Sequence, residues 1–172
     1  MVSLVYSTRR GDITDLEAIA KLESTPETTP WLGETGLEWH RRGFADPDRE
    51  HLLIESPAGL VGFVVLAGLM DPARVLEIRR IVVAEHLRGQ GIGRLLIRAA
   101  IERAYERHSA TRLWLDVKAT NVRARGLYES EGFVVSRTVP SGWARTGDNS
   151  DLVVMEHVRS SATPAGGQRP TG

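Results

Sequence analysis

Apolar and polar positions along the chain change their period several times, and each change marks an element. Residues 2–6 are β-branched and aliphatic and predict a first strand. Leu16, Ile19, Ala20 and Glu23 then recur at helical spacing behind Asp12, a helix cap, with Asp12 and Asp15 at the positive helix start. Residues 25–30 break that helix. The polar stretch 31–48 carries Trp31 and Trp39, and its part 34–44 has helical character. Apolar runs at 51–55, 60–69 and 74–83 are separated by Ser56-Pro57-Ala58-Gly59 and Asp71-Pro72-Ala73, which read as turns, so the three form an antiparallel meander. The clearest helix covers 91–107, with a stripe of Ile97, Ala100, Ile101, Ala104, Tyr105 and His108. A strand at 112–117 follows. Asn121 can cap a further helix ending at Gly132, and closing strands fall at 133–136 and 151–158. The order β-α-α-β-β-β-α-β-α-β-β describes a mixed α/β single domain over residues 1–159 without internal repeats. Residues 160–172, rich in Gly, Pro, Ser and Thr, read as a disordered tail.

Composition narrows the function. With 172 residues, 41% hydrophobic and 26% charged, the chain is long and apolar enough for one buried core. Lys plus Arg and Asp plus Glu each number 22, and a net charge of zero argues against bulk nucleic-acid binding, which needs surplus cations to displace counterions. The absence of cysteine excludes disulfides, thiolate metal sites and a cysteine nucleophile. His40, His51, His86, His108 and His157 show no metal-ligand spacing, so no metal is implied. The longest apolar run, residues 60–70, is too short to span a bilayer. Residues 1–10 lack a signal-peptide pattern, and the protein reads as cytoplasmic with no membrane partner.

The most informative segment runs from Ile81-Val82-Val83 through Arg88-Gly89-Gln90-Gly91-Ile92-Gly93-Arg94 into the amphipathic helix. Glycines allow close approach and unusual dihedrals, and unpaired N–H groups at a helix start favour an anion. Arg88 and Arg94 add formal charge. No Gly-Lys-Ser/Thr follows, which removes a Walker A loop. The third position of a dinucleotide G-x-G-x-x-G is Arg94 or Leu96 rather than glycine. On these residues alone, a glycine-rich helix entry that merely packs tightly stays open beside a phosphate cradle.

The pattern R-x-x-G-x-G, here Arg88, Gly91 and Gly93, resembles the coenzyme A pyrophosphate loop of the GNAT superfamily of acyl-CoA-dependent N-acetyltransferases. A second segment, Asp116 through Asn121 into Ala124, Leu127-Tyr128 and Gly132-Phe133, resembles that superfamily too, and most closely its bacterial ribosomal-protein alanine N-acetyltransferases. The resemblance implies a mostly antiparallel sheet whose fourth and fifth strands splay apart, about four helices, and acetyl-CoA as cosubstrate with its pantetheine arm in the gap. By position, Ile81, Val82 and Val83 would flank the pantetheine. Arg88, Gly89, Gln90, Gly91, Ile92, Gly93 and Arg94 would hold the pyrophosphate, and Asn121, Ala124 and Tyr128 would line the far side. Homodimers are common in the superfamily, but no interface is legible here.

The implied reaction is direct attack of a primary amine on the thioester. It needs a base, a donor for the carbonyl oxygen and help for the leaving thiolate. Tyr128 stands at the family's acid position; its bland reading is packing beside Leu127 and Phe133. Glu77 and Asp116 are rival bases. Glu77 could instead pair with Arg79, two residues along the same strand face, and Asp116 stands where the ribosomal-protein enzymes carry the longer glutamate. The Val83 N–H is the implied oxyanion donor. Trp31, Glu34 and Trp39, with Trp143 in the last hairpin loop, are candidates for binding a cationic acceptor, small molecule or peptide, although the tryptophans could equally anchor the short helix. Two other readings stay open: a non-catalytic acyl-CoA-binding sensor or scaffold, and a phosphate-anion binder unrelated to coenzyme A.

Overall fold

The strands β1 (Ser7–Arg10), β2 (Arg49–Ser56), β3 (Gly59–Ala67), β4 (Val75–Val83), β5 (Arg112–Lys118), β6 (Val134–Val139) and β7 (Leu152–His157) form one sheet in the order β1-β2-β3-β4-β5-β7-β6. The computed structural model describes residues 5–141 and 150–159. Every pairing is antiparallel except that of β4 with β5. The described residues also form the helices α1 (Leu16–Glu23), α2 (Leu37–Ala45), α3 (Ile92–Glu102) and α4 (Val122–Ser130), and a π-helical turn, Arg103–Arg107, continues α3. None of these helices is long and apolar enough to cross a membrane.

Alternation along the strands assigns side chains to two cores. Leu52 and Ile54 of β2 and Val64 and Leu66 of β3 pack with Leu96, Ile97 and Ala100 of α3. Leu53, Phe63 and Val65 point the other way, onto Ile19 of α1 and Trp39 of α2. In β4 this parity inverts. Val65 is opposite Arg80 but Leu66 is opposite Ile78, which leaves Arg79 as an extra residue, a β-bulge. Leu76 and Ile78 therefore face α3, whereas Arg80 and Val82 beyond the bulge face α1 and α2. The parallel pairing with β5 covers only Val75, Leu76 and Glu77, opposite Arg112, Leu113 and Trp114, and stops just before the bulge. The fourth and fifth strands thus splay, as the resemblance implies.

The first strand is a correction. Pairing with β2 begins at Ser7, and Val5 and Tyr6 precede the strand. Residues 2–4, 142–149 (with Trp143) and the expected tail 160–172 lie outside the described residues. β1 is a fully exposed edge strand and needs no apolar pattern. Its position is set by backbone pairing and by Arg9, which bridges Asp15 and Glu55, each at 2.7 Å. An apolar-run criterion therefore passes over Ser7–Arg10.

Under α1 and α2 the core contains charge. Glu23, His40 and His51 are fully buried. His40 Nδ1 lies 3.0 Å from His51 Nε2, and His40 Nε2 lies 3.1 Å from Glu23 Oε2. His51 stacks on Phe44 at 4.0 Å. Burial, then the positive potential of His40 and nearby arginines, pushes the His51 pKa from 6.5 down to about 3. The folded protein therefore resists a proton that the unfolded chain accepts. Stability from this group is complete above pH 6.5 and is lost as pH falls towards 3. The expected slope is about 1.4 kcal/mol per pH unit. Urea midpoints of the unmodified protein and His51→Leu at pH 7 and 5 check this: the variant should lose less on acidification, and parallel losses would contradict it.

Candidate active site

The splay opens the sheet, and two hollows meet there. The larger, a groove of about 840 Å³, runs past Ile81, Val82 and Val83, the glycine-rich turn, and Ala124, Leu127 and Tyr128 of α4. The smaller, about 420 Å³, lies on the α1–α2 face between Glu77, Arg79 and Arg80 of β4 and Asp116 and Lys118 of β5. Trp31, Leu32, Ile81, Asn121 and Tyr128 line both, so they form the seam between the hollows.

The glycine turn has the features of a cradle. Gly89 and Gly91 adopt φ of +82° and +87°, a region that L side chains rarely adopt. Gly91 caps α3, and the N–H groups of Gly89, Gly91, Ile92 and Gly93 have no acceptor among the described residues. A Cβ on Gly93 would come within 3.2 Å of Leu127, so a side chain there would crowd the groove wall. Arg88 donates to Thr28 Oγ1, which fixes it beside the turn, while Arg94 is ion-paired with Glu131, as is Arg98 at 2.7 Å. Gln90 and Ile92 do not line the groove. The Gln90 amide turns back to the His86 carbonyl and the Ile92 side chain enters the core.

Residues 16–133 match the acetyltransferase (GNAT) family, a span that contains the splay, the larger groove and every residue lining the smaller hollow except Leu152. The chain belongs to the GNAT family. It is therefore an N-acetyltransferase, of a fold that one solved relative shows with CoA bound. The ribosomal-protein bS18-alanine N-acetyltransferase of Escherichia coli K12 is 29% identical over 147 residues, covering 84% of this chain and 91% of that protein. The crystal structure of the ribosomal-protein-S18-alanine N-acetyltransferase from Escherichia coli superposes with a TM-score of 0.75 at 20% identity, covering 94% of this chain and 98% of that one. Spermidine N-acetyltransferase from Vibrio cholerae, solved with CoA and spermine, gives 0.77 at 22%, covering 89% and 95%. The solved structures fix the fold, and these relatives differ in the acceptor their names give.

Within this GNAT site the seam collects the candidate chemistry. Tyr128 is 6% exposed and its hydroxyl has no hydrogen-bond partner among the described residues. The same ring lies 6.1 Å from Phe133, so it packs in the core as well as lining the seam. Burial, then the charge of Asp116, pushes the Tyr128 pKa up, so the phenol stays protonated. The β4–β5 register sets Trp114 opposite Glu77, and Asp116, two residues on, falls on the same sheet face. Burial raises the pKa of both carboxyls. The charge of Asp116 lifts Glu77 further, and Arg79, 3.8 Å from Glu77, pulls both down. The Glu77–Arg79 pair and the shared hollow therefore coexist. Ala84 N–H donates to Val61 O on β3, and strand alternation turns the neighbouring Val83 N–H to the open edge.

The acceptor candidates separate. Trp31, 45% exposed, stands at the seam. Trp39 is buried, packs α2 on the core and is among the residues lining the smaller hollow. Glu34 lines that hollow, but its carboxylate is ion-paired with Arg42. The Asn121 side chain caps α4 by accepting from Ala124 N at 3.2 Å. Arg123 was not legible as a groove residue. Its guanidinium reaches 3.6 Å from the Cβ direction of Gly89, and no acid pairs with it among the described residues. Its place in the first turn after Asn121 was the available signal. Lys118, whose Nζ donates to Pro30 O at 2.6 Å, was also missed. Among the described residues no group of three or more His, Asp or Glu is placed to hold a metal ion.

Proposed function

We propose that this N-acetyltransferase holds acetyl-CoA in the larger groove and acetylates a primary amine presented from the smaller hollow. The observation that carries this reading is the seam, where Tyr128 lines both hollows. In the groove, the free N–H groups of Gly89, Gly91 and Gly93, with Arg88 and Arg123, would bind the pyrophosphate. The open edge at Ile81–Val83 would pair with the pantetheine amides. The thioester supplies an activated acetyl group.

In this reading the chain's own residues carry the rest. Asp116 and Glu77 face the incoming ammonium and accept the protons its nitrogen sheds, one before attack and one as the adduct collapses, and their raised pKa values narrow the gap to an alkyl amine, near ~10. The amine lone pair attacks the carbonyl carbon while the Val83 N–H meets the charge growing on its oxygen. As the C–S bond breaks, Tyr128 stabilises the thiolate. Its raised pKa makes that help a donated hydrogen bond rather than full proton transfer.

The named relatives suggest the panel for a thiol-release assay with acetyl-CoA: a peptide beginning with alanine, spermidine, free amino acids and a lysine ester. Thiol release with one member, together with heat stabilisation by acetyl-CoA but not by ATP or NAD, is the expected result. Stabilisation without release by any amine would indicate a binding module instead.

A further inference from the structure

Arg80 is one of the long cationic side chains on the acceptor side, and the chemistry above does not use it. Arg80 is buried, and the bulge at Arg79 turns it to the α1–α2 face. Its Nη1 donates to Glu23 Oε2 at 2.9 Å and its Nη2 to the Glu34 carbonyl at 2.5 Å. The guanidinium lies 3.7 Å from the centre of the Trp39 ring, in cation–π contact. Glu23 is itself held, since its Oε1 accepts from Gly36 N at 2.8 Å and its Oε2 faces His40. Burial pushes the Glu23 carboxyl up, but these contacts and the Arg80 charge more than offset it, and it stays ionised.

Two tethers thus converge on one short loop, at the carbonyl of Glu34 and the N–H of Gly36. That loop and Trp39 form a wall of the smaller hollow, and Arg80 lines the same hollow. None of Arg80, Glu23, Glu34 and Trp39 lines the cofactor groove. Packing alone would not create this asymmetry, because Leu53, Phe63 and Val65 support the layer without touching either hollow.

We propose that Arg80 is the positioning residue of the acceptor pocket: anchored on Glu23, its planar fork fixes the Glu34–Gly36 loop and the Trp39 indole at the distance the acceptor requires. This rests on the assignment of the smaller hollow to the acceptor. A lysine preserves the charge beside Glu23 but cannot serve two acceptors in one plane and also stack. A displaced wall raises the acceptor KM and leaves the donor site untouched.

The test uses Arg80→Lys and, should that variant fold poorly, Arg80→Met combined with Glu23→Gln. The double variant removes both buried charges and keeps an acceptor for Gly36 N–H. Thiol release with acetyl-CoA and the panel amine that the unmodified protein acetylates should show an acceptor KM raised about tenfold, with the Kd for acetyl-CoA within about twofold. Amide exchange over residues 32–38 should quicken while that of α3 does not. An unchanged acceptor KM, or a rise in both constants in step with a fallen Tm, overturns the proposal. Failure of the unmodified protein to release thiol with any amine overturns the reading beneath it, and the two failures are told apart by the protein in which they occur.

Discussion

Tyr128→Phe is expected to lower kcat by about 10²- to 10³-fold and to leave the Kd for acetyl-CoA within about twofold. The ring fills core space beside Phe133, so phenylalanine preserves the packing and removes only the hydroxyl. That hydroxyl has no protein partner, so its loss strands no buried donor or acceptor among the described residues. A phenol whose pKa is pushed up is a weak acid, and its contribution exists only while negative charge gathers on sulfur. The effect should therefore fall on kcat rather than on either KM. Titration of acetyl-CoA by calorimetry and steady-state thiol release measure the two sides. Full turnover in Tyr128→Phe would remove the residue from the mechanism.

The second large effect is expected at the paired carboxylates. Asp116, not Glu77, is the acid whose charge is felt at Tyr128, so Asp116→Asn should reduce kcat/KM by about 10²-fold and Glu77→Gln by less. The pH profile carries the sign. Burial holds both carboxyls above their ordinary values of 3.8 and 4.5, so kcat/KM of the unmodified enzyme should fall, as pH drops, through a pKa above that range. Asp116→Asn should abolish this acid limb, and Glu77→Gln should leave it in place. The opposite pattern would assign the proton to Glu77. Unchanged limbs in both variants would leave neither carboxylate as the base.

Much of this candidate site is legible in the sequence because it is written in local patterns. Gly89, Gly91 and Gly93 specify their own backbone, and Asn121 to Phe133 specify a capped helix with Tyr128 on a fixed face. What stayed hidden depends on pairing between distant segments. β1 is located by its ladder with β2, a backbone property that leaves no apolar trace in Ser7–Arg10. Glu23, His40, His51 and Arg80 come from α1, α2, β2 and β4, and no spacing of theirs announces that they touch. Arg123 carries no signal of its own, because only the fold brings α4 against the glycine turn. Trp31 and Trp39, equivalent as sequence, differ because only Trp39 lies on the inward face of α2.

The single supernumerary residue in β4 acts like a frameshift in a two-letter code. Upstream of Arg79 the odd-numbered side chains face the α1–α2 layer; downstream the even-numbered ones do. Regular pairing through Arg79, with the residue kept and the bulge lost, would deliver Ile81 and Val83 to the layer now occupied by Arg80 and Val82, and would exchange a charged prop for an aliphatic one at a stroke. A strand of the same length without the bulge would have to build its acceptor wall from different letters.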